Sequence, residues 1–303
     1  MFKEQKIEQE KGAETKVVLY LMRHAEQESD KKFDKRKRLT EQGRLQADMK
    51  GEELKAQPEV ALAVTSPRDR SMETAYRVML AGQDEVLKDQ SLEEIEKKIA
   101  EELNQKKDSG KIKKLLIDDR LDALVDGPLA KDYFAASGSD NFFDWAIKES
   151  DKAAVACGDE KTTTYTRAAG KIAGVVEKYT QVGSNFNKIA AGTDKYVKFG
   201  NQLERYLVSH NRYSELFLAK ILEKVAGEAE RDEFLESVKN GFGFTEGIKI
   251  EIANQDREQK ITISYKVGQE DKNVVLGREV LAGIIQERQE FEEKIKPDVD
   301  QRA

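Results

Sequence analysis

The chain has 303 residues, and its 52 Lys and Arg against 58 Asp and Glu give a formal net charge of −6 at pH 7. This acidic balance, without a basic stripe interleaved with aromatic residues, argues against general nucleic-acid binding, and no apolar stretch approaches the length of a membrane span. With Cys157 as the one cysteine and no signal-peptide core at the N-terminus, we expect a soluble cytoplasmic protein without an internal disulfide.

An apolar run near the N-terminus, residues 17–22, has the length and composition of a β-strand. Its lack of polar alternation is typical of a strand that is buried on both faces in the centre of an α/β sheet. The run ends at Arg23 and His24. Because ligands of open α/β sheets bind beyond the carboxyl ends of the strands, we expect both side chains at a binding site.

A helix is predicted to start just after Leu39, with Thr40 as its N-cap. Its apolar stripe would consist of Leu45, Met49 and Leu54. A glycine in its interior, Gly51, would allow the helix to pack closely against the sheet.

A second apolar run, residues 60–65, is broken by Ser66 and Pro67. Ser66 suits the N-cap, and Pro67 the first position, of a helix predicted over residues 68–80. Arg70 would then lie in the first turn, where unpaired backbone N–H groups and the helix dipole favour an anion.

The sequence changes character between residues 81 and 198. Its pattern predicts a charged helix over 91–107, a short edge strand over 113–117 and a helix over 166–179. Between the edge strand and the last helix lie an acidic segment and aromatic side chains that we interpret as a small core: Phe134, Phe142, Phe143 and Trp145.

The second histidine of the chain, His210, repeats the arrangement of the first. It follows an apolar strand pattern over 206–209 and precedes an amphipathic segment over 214–225. Both histidines therefore lie at carboxyl ends of short strands. Two histidines, two arginines and a helix N-terminus at one sheet edge indicate a phosphate site.

The last part of the chain alternates apolar and polar residues at 248–252 and again at 261–265. This period of two predicts an antiparallel hairpin with one wet face. Residues 274–276 would add a third strand, and residues 278–294 would close the chain as a helix.

Four motifs occur in order along the chain: R-H-A-E at 23–26, L-T-E-Q-G-R-L-Q-A at 39–47, T-S-P-R-D-R-S-M-E-T-A at 65–75 and V-S-H-N at 208–211. Together they resemble the histidine phosphatase superfamily, which contains the cofactor-dependent phosphoglycerate mutases. Its hallmark is R-H-G, and Ala25 here replaces the glycine. The added methyl group is a mild change unless the backbone there needs a positive φ.

The resemblance implies an α/β fold of three layers, α/β/α, around a mostly parallel central sheet. A flexible arm over residues 1–15 would precede a single domain over 16–303. That domain would carry a helical insertion at about 81–198, which covers the active site in such proteins. Its C-terminal extension, at about 241–303, would consist of the β-hairpin and the helix.

By the same resemblance, the protein is a phosphomonoester hydrolase that acts through a phosphohistidine at His24. Arg23, Arg70 and His210 would hold the transferring phosphoryl group. The substrate-binding residues would be Arg23, Arg70, Glu26, Gln27 and Asn211, with Glu26 positioning its neighbours rather than reacting. We expect a small phosphorylated substrate, no metal and no organic cofactor.

The general acid is harder to identify. Many members place a glutamate shortly after an R-L pair, but here Ala123 follows Arg120-Leu121 at that position. The alternative aspartate after the second histidine is replaced by Asn211. The adjacent Asp122 is therefore our candidate, ahead of two other acidic residues, Asp119 and Asp126.

Two other functions fit the same motifs. A phosphoglycerate-type mutase would return the phosphoryl group to the substrate and would need a closed, dry site. A noncatalytic phospholigand-binding protein would keep the pocket without the acid. The sequence leaves the substrate and the oligomeric state open.

Overall fold

The computed structural model describes residues 15–29, 36–54, 62–81, 93–94, 97, 114–192, 201–255 and 258–296. The predicted N-terminal arm lies outside these residues except for Thr15, and so does most of the charged helix predicted over 91–107. The division into one domain, an insertion and an extension stays a prediction.

A seven-stranded sheet forms the centre of the described part of the chain, in the order β3-β2-β4-β1-β5-β6-β7. The strands β3, β2, β4 and β1 pair in parallel, and β5, β6 and β7 extend the sheet with antiparallel pairs. Their bounds are β1 Thr15–Arg23, β2 Leu62–Thr65, β3 Lys114–Ile117, β4 Gln202–Ser209, β5 Gly247–Gln255, β6 Glu258–Val267 and β7 Glu270–Leu276.

The first two described helices alternate with strands, as is typical of α/β folds, whereas several helices in succession follow β3 and β4. The described helices are α1 Glu41–Leu54, α2 Asp69–Leu80, α3 Ala130–Ser137, α4 Phe142–Trp145, α5 Asp151–Cys157, α6 Tyr165–Gly192, α7 Tyr213–Val225, α8 Glu228–Ser237 and α9 Arg278–Ile295, with a π-helical stretch, Ala146–Ser150, between α4 and α5. None of these helices has a window that is long and apolar enough to cross a membrane.

The parallel part of the sheet is covered on both faces. The two faces of β1 pack against two different hydrophobic clusters. Val17, Leu19 and Leu21 pack with α6 and α7, whereas Met22 packs with α2. This arrangement explains the unbroken apolar run, since each face of the strand needs its own apolar residues. The predicted three-layer α/β/α arrangement is confirmed.

The C-terminal strands join the main sheet directly. β5 pairs with β1 from Thr15↔Asn254 to Met22↔Gly247. Ile250 and Ile252 are fully buried on one face, whereas Lys249 and Glu251 form a half-exposed ion pair on the other. The predicted hairpin with one wet face, its third strand and its closing helix are confirmed.

The predicted apolar stripe of α1 is wrong for Leu45 and Met49, whereas Leu54 is partly buried and packs against the core that contains Met22 and residues of α2. Leu45 is 39% and Met49 66% exposed, while the buried residues are Gly43, Ala47 and Gly51. A Cβ at Gly51 would lie 2.5 Å from the carbonyl oxygen of Val78 in α2. The helix therefore packs through its smallest residues, because its axis lies too close to α2 for larger side chains.

The start of α2 also differs from the prediction. The helix begins at Asp69, with Arg68 at the N-cap position and without a side-chain cap. Ser66 instead continues the direction of β2, since its N–H donates to Val208 O at 3.3 Å. As predicted, Arg70 lies in the first turn of α2, and Thr40 caps α1, where its Oγ1 accepts the Gly43 N–H at 2.9 Å.

The aromatic cluster has a different composition from the predicted one. Phe142 and Phe143 are buried, but Phe134 is 62% exposed. The neighbouring residue on α3, Tyr133, takes its place, with its ring centroid 5.6 Å from that of Phe142 and 5.9 Å from that of Trp145.

Candidate active site

Strand register brings the two histidines together. Arg23 is paired with Ser209, and the N–H of His24 donates to Ser209 O at 2.9 Å. His210 follows Ser209 directly, so the two imidazoles leave adjacent parallel strands at the same end. Their ring centroids lie 5.4 Å apart at an interplanar angle of 64°.

The imidazole of His24 is 5% exposed and has a partner on each nitrogen. Its Nδ1 lies 2.7 Å from Ala25 O, and Arg70 Nε lies 3.2 Å from its Nε2. A carbonyl only accepts and an arginine only donates, so we assign the proton to Nδ1 and the lone pair to Nε2. Burial, together with the charges of His210 and Arg70, holds the pKa of His24 well below its usual value, which favours this neutral form.

Thr74 joins α2 to the segment that carries the first histidine. Its Oγ1 accepts the Ala25 N–H at 3.0 Å and donates to Arg70 O at 2.7 Å. The side chain of Thr74 therefore fixes the backbone on both sides of the His24–Arg70 contact.

The second histidine, His210, is 6% exposed. Its Nε2 lies 2.9 Å from Ser66 Oγ and 3.2 Å from Asp122 Oδ1. Burial lowers the pKa of His210 to about 4, against the opposite effect of Asp122, so the ring is neutral at pH 7. With the proton on Nε2 facing the carboxylate, Nδ1 is a buried acceptor without a partner among the described residues.

Ser66, His210 and Asp122 do not form a nucleophilic triad. In a triad, the serine and the carboxylate contact opposite nitrogens of the imidazole. Here both contact the same nitrogen, Nε2. Ser66 therefore positions His210 and is not activated by it.

Two backbone anchors hold the Asp122 segment beside β4. Ser209 Oγ donates to Leu121 O at 2.8 Å, and Tyr213 Oη donates to Arg120 O at 3.0 Å. These bonds fix the 3-10 turn Asp119–Leu121 that follows β3. Asp122 is thereby brought against His210.

Asp122 is paired with an arginine that the sequence analysis did not single out. Arg68 Nε lies 2.5 Å from Asp122 Oδ1, and Arg68 Nη2 donates to Ala123 O at 3.1 Å. Burial raises the pKa of Asp122, but hydrogen bonds from His210 and Arg68 outweigh it and hold that pKa well below its usual range. A general acid must hold a proton at the working pH, so this geometry argues against the role we predicted for Asp122.

The other two candidate acids lie at the surface: Asp119 is exposed, and the side chain of Asp126 is 70% exposed beside Lys161. Neither contacts a histidine among the described residues.

Arg23 lies at the end of β1 with its guanidinium partly buried. Its Nη1 donates to Phe242 O at 2.8 Å, and its Cζ lies 4.1 Å from the ring centroid of Phe244. The same ring lies 6.4 Å from the imidazole of His24. Phe244 thus forms an apolar wall that Arg23 and His24 share.

The remaining predicted binding residues have different surroundings. The carboxylate of Glu26 accepts the Thr40 hydroxyl at 3.0 Å, which ties it to the start of α1. Gln27 Oε1 and Asn211 Oδ1 are buried acceptors without a partner among the described residues. Asn211 lies against Gly241, where a Cβ would come within 2.0 Å of Oδ1 and where φ is +78°.

Sequence reasoning missed Arg68, Thr74 and Ser66 as parts of the site. All three belong to the T-S-P-R-D-R-S-M-E-T-A motif, so the motif carried the signal. Their roles depend on Asp122, Ala25 and His210, which are distant in sequence, and no local pattern indicates such contacts.

Cations surround a pair of neutral histidines at this edge of the sheet. Arginine binds phosphate oxygens with a planar fork and keeps its charge. Catalysis of phosphoryl transfer depends mainly on positioning the phosphoryl group and stabilising its negative charge, and arginines can do both. Among the described residues, no three His, Cys, Asp or Glu side chains lie together as a metal-binding group. The arrangement can hold a phosphoryl group against His24 Nε2.

Several solved structures are similar to this chain at low sequence identity. A phosphoglycerate mutase from Bacillus anthracis is 15% identical, with 89% of this chain and 97% of that chain covered and a TM-score of 0.46. A mycobacterial glucosyl-3-phosphoglycerate phosphatase is 14% identical (80% and 91% covered, TM-score 0.39), and so is a phosphoserine phosphatase variant from Entamoeba histolytica (81% and 93%, TM-score 0.40). At these values, the likeness carries nothing about the activity or substrate of this chain.

No curated protein is similar enough to count as a relative of this chain. A family model does match: that of the histidine phosphatase superfamily, branch 1, over residues 19–123. The matched segment contains His24, Arg70 and Asp122. The resemblance of this chain to the histidine phosphatase superfamily is therefore confirmed over residues 19–123.

Proposed function

We propose that the protein is a phosphomonoester hydrolase that acts through a phosphohistidine at His24. One observation carries the proposal: His24 Nδ1 lies 2.7 Å from Ala25 O and His24 Nε2 lies 3.2 Å from Arg70 Nε, a geometry that favours a neutral imidazole with its proton on Nδ1. A nucleophilic histidine needs this tautomer, with a lone pair directed at a cation that can hold phosphate oxygens.

In the first step, His24 Nε2 would form a bond to phosphorus while the bond from phosphorus to the ester oxygen breaks. The ester oxygen leaves with a proton taken from solvent water, and a second water molecule then attacks phosphorus, breaks the P–N bond and releases phosphate. Arg23 and Arg70 would hold the equatorial oxygens. Binding of a phosphate dianion would also raise the pKa of His210, because a nearby anion favours the imidazolium, and the open Nδ1 could then donate to it.

One observation favours a second candidate function, a phospholigand-binding protein without turnover. The carboxylate that could supply a proton to the leaving oxygen, Asp122, is paired with Arg68 at 2.5 Å. Binding of phosphate without turnover would support this function. The mutase remains an alternative that shares the same phosphohistidine.

The test is release of phosphate from p-nitrophenyl phosphate in the presence of EDTA, for the wild type and His24→Ala. We expect metal-independent turnover that His24→Ala abolishes, and a phosphoenzyme that is stable to base and labile to acid in the wild type alone. The exposed carboxylate variant Asp126→Asn serves as a control and should keep full activity.

Turnover that persists in His24→Ala would overturn the proposed mechanism. Phosphate binding without turnover or a phosphoenzyme would favour the binding protein. Transfer of the phosphoryl group to an added acceptor, with little released phosphate, would favour the mutase.

A further inference from the structure

Arg212 lies two residues beyond His210, and its side chain extends to α3 and α4. Its Nη1 donates to Ser137 O at 2.8 Å, and its Cζ lies 4.6 Å from the ring centroid of Phe142. Its backbone is left-handed, with φ 64°. A left-handed arginine is uncommon, and residues in such conformations cluster at functional sites.

The charge of Arg212 has no carboxylate within salt-bridge distance among the described residues, and the same holds for Arg23. The Nε atom of each guanidinium is buried and has no hydrogen-bond partner there. Burial lowers the pKa of both guanidinium groups, but the ordinary pKa of arginine is so high that both stay charged. A partly buried cation without a counter-ion is costly, so this pair of arginines is suited to binding an anion.

Nearby acidic groups do not fill this role. Glu215 acts electrostatically on Arg23 and on Arg212, but its oxygens accept the Phe242 N–H at 2.5 Å and the Ser214 hydroxyl at 3.0 Å. Asp140 acts on Arg212 and Glu246 acts on Arg23, in both cases without an ion pair among the described residues.

Tyr133 of α3 lies next to Phe142, whose ring centroid is 5.6 Å from that of Tyr133 and 4.6 Å from Arg212 Cζ. The positive charges of Arg212 and Arg68 both act on its phenol, against the effect of burial, which raises the pKa of Tyr133 to about 12. The phenol therefore stays protonated at neutral pH. A protonated phenol can donate a hydrogen bond to an anion.

We propose that Arg212, assisted by Tyr133, binds a second anionic group of the substrate, next to the phosphoryl group held by His24, Arg23 and Arg70. The substrate would thus be a phosphomonoester that carries a carboxylate or a second phosphate near its ester. This inference rests on the proposed function, of which it names the substrate class.

The test measures binding of phosphonates, which cannot be hydrolysed, by isothermal titration calorimetry. Methylphosphonate has no second anionic group, phosphonoacetate adds a carboxylate and methylenediphosphonate adds a second phosphonate. We expect the wild type to bind one of the latter two at least about tenfold tighter than methylphosphonate, as a charge-assisted pair allows. The analogue that binds tighter identifies the anion.

In Arg212→Asn the ratio of the dissociation constants should fall to near one. Asparagine tolerates the left-handed backbone, and Arg212→Gly provides a second variant if Arg212→Asn unfolds. Arg278→Gln, which removes an exposed arginine paired with Glu177, is the matched control and should keep the wild-type ratio.

Equal binding of the three phosphonates by the wild type, or a preference that survives in both Arg212 variants, would overturn the inference. Turnover of p-nitrophenyl phosphate, which lacks a second anionic group, is measured on the same preparations. If the wild type turns over p-nitrophenyl phosphate but binds the three phosphonates equally, the second anion site is overturned and the proposed phosphatase activity stands. If the wild type prefers a phosphonate with a second anionic group but shows no turnover, the second anion site stands and the proposed phosphatase activity is overturned.

Discussion

Arg68 Nε lies 2.5 Å from Asp122 Oδ1, and each of these side chains is only 9% exposed. The pair links the start of α2 to the segment after β3, and Asp122 also contacts His210. An ion pair in this setting is costly to break, since removing one partner leaves the other charged and buried.

Breaking this pair should reduce stability strongly. We expect Arg68→Leu to lower the free energy of unfolding by about 3–5 kcal/mol at pH 7, because it leaves a buried carboxylate without its cation. Urea unfolding of Arg68→Leu, Asp122→Asn and the double variant measures the coupling between the two residues.

The exposed pair Arg278–Glu177 is the control for this cycle, with an expected coupling below about 1 kcal/mol. If the effects of Arg68→Leu and Asp122→Asn simply add up in the double variant, within about 0.5 kcal/mol, the two side chains are not coupled and the interpretation is wrong.

The buried neutral His210 predicts a pH dependence of stability. Its pKa is about 4 in the folded protein and about 6.5 in the unfolded chain. Between these values the unfolded chain binds the proton and the folded protein does not, so stability falls as the pH falls from about 6.5 to about 4. This group alone should account for about 3 kcal/mol over that range.

Chemical unfolding at several pH values, for the wild type and His210→Asn, measures this contribution. The variant should lose part of the slope between pH 6.5 and 4 while keeping the slope below pH 4 that comes from carboxylates. An unchanged slope between pH 6.5 and 4 would show that His210 is protonated in the folded protein.

Arg70 should contribute to turnover more than to stability. We expect Arg70→Ala to lower kcat on p-nitrophenyl phosphate by about a hundredfold to a thousandfold, as is typical for the loss of one preorganised donor. Arg278→Ala is the matched control and should leave kcat unchanged. A full-rate Arg70→Ala variant would remove Arg70 from the site.

Two helical glycines allow a matched test of the packing of α1. In Gly51→Ala the new Cβ would lie 2.5 Å from Val78 O, whereas nothing lies within 4 Å of a Cβ at Gly283 in α9. We expect Gly283→Ala to raise the unfolding free energy by about 0.5–1 kcal/mol, since alanine favours helices. Gly51→Ala should lower the melting temperature instead, and a gain there would contradict the close approach of α1 and α2.

The sequence predicted the parts of the fold that depend on local pattern. The apolar runs before His24 and His210 are strands because each residue of the run enters a core, and the alternation after residue 247 marks strands with one wet face. The prediction fails at Leu45 and Met49 because close packing of α1 selects small residues, Gly43, Ala47 and Gly51, on its buried face. Helix caps such as Ser66 were misassigned where a tertiary hydrogen bond replaced the local one.

The sequence predicts which residues belong to the candidate site better than it predicts which of them contact each other. Both histidines and Arg70 follow from the motifs, whereas the pairing of Arg68 with Asp122 joins residues that are 54 positions apart. This pairing favours an ionised Asp122, and its role as the proton donor stays a prediction. Electrostatic roles of this kind depend on distances between side chains, and these distances cannot be read from the sequence.

The two sheet neighbours of β1, β4 and β5, come from residues 202–209 and 247–255. The backbone of Arg23 is also held from that part of the chain, since its N–H donates to Glu246 O at 2.9 Å and its carbonyl accepts the Thr245 N–H at 3.1 Å. During synthesis on a ribosome, the strand that presents His24 is thus made first and acquires its partners last. Until then the backbone groups along both edges of this strand lack their partners, and the nascent chain cannot carry an assembled phosphate site.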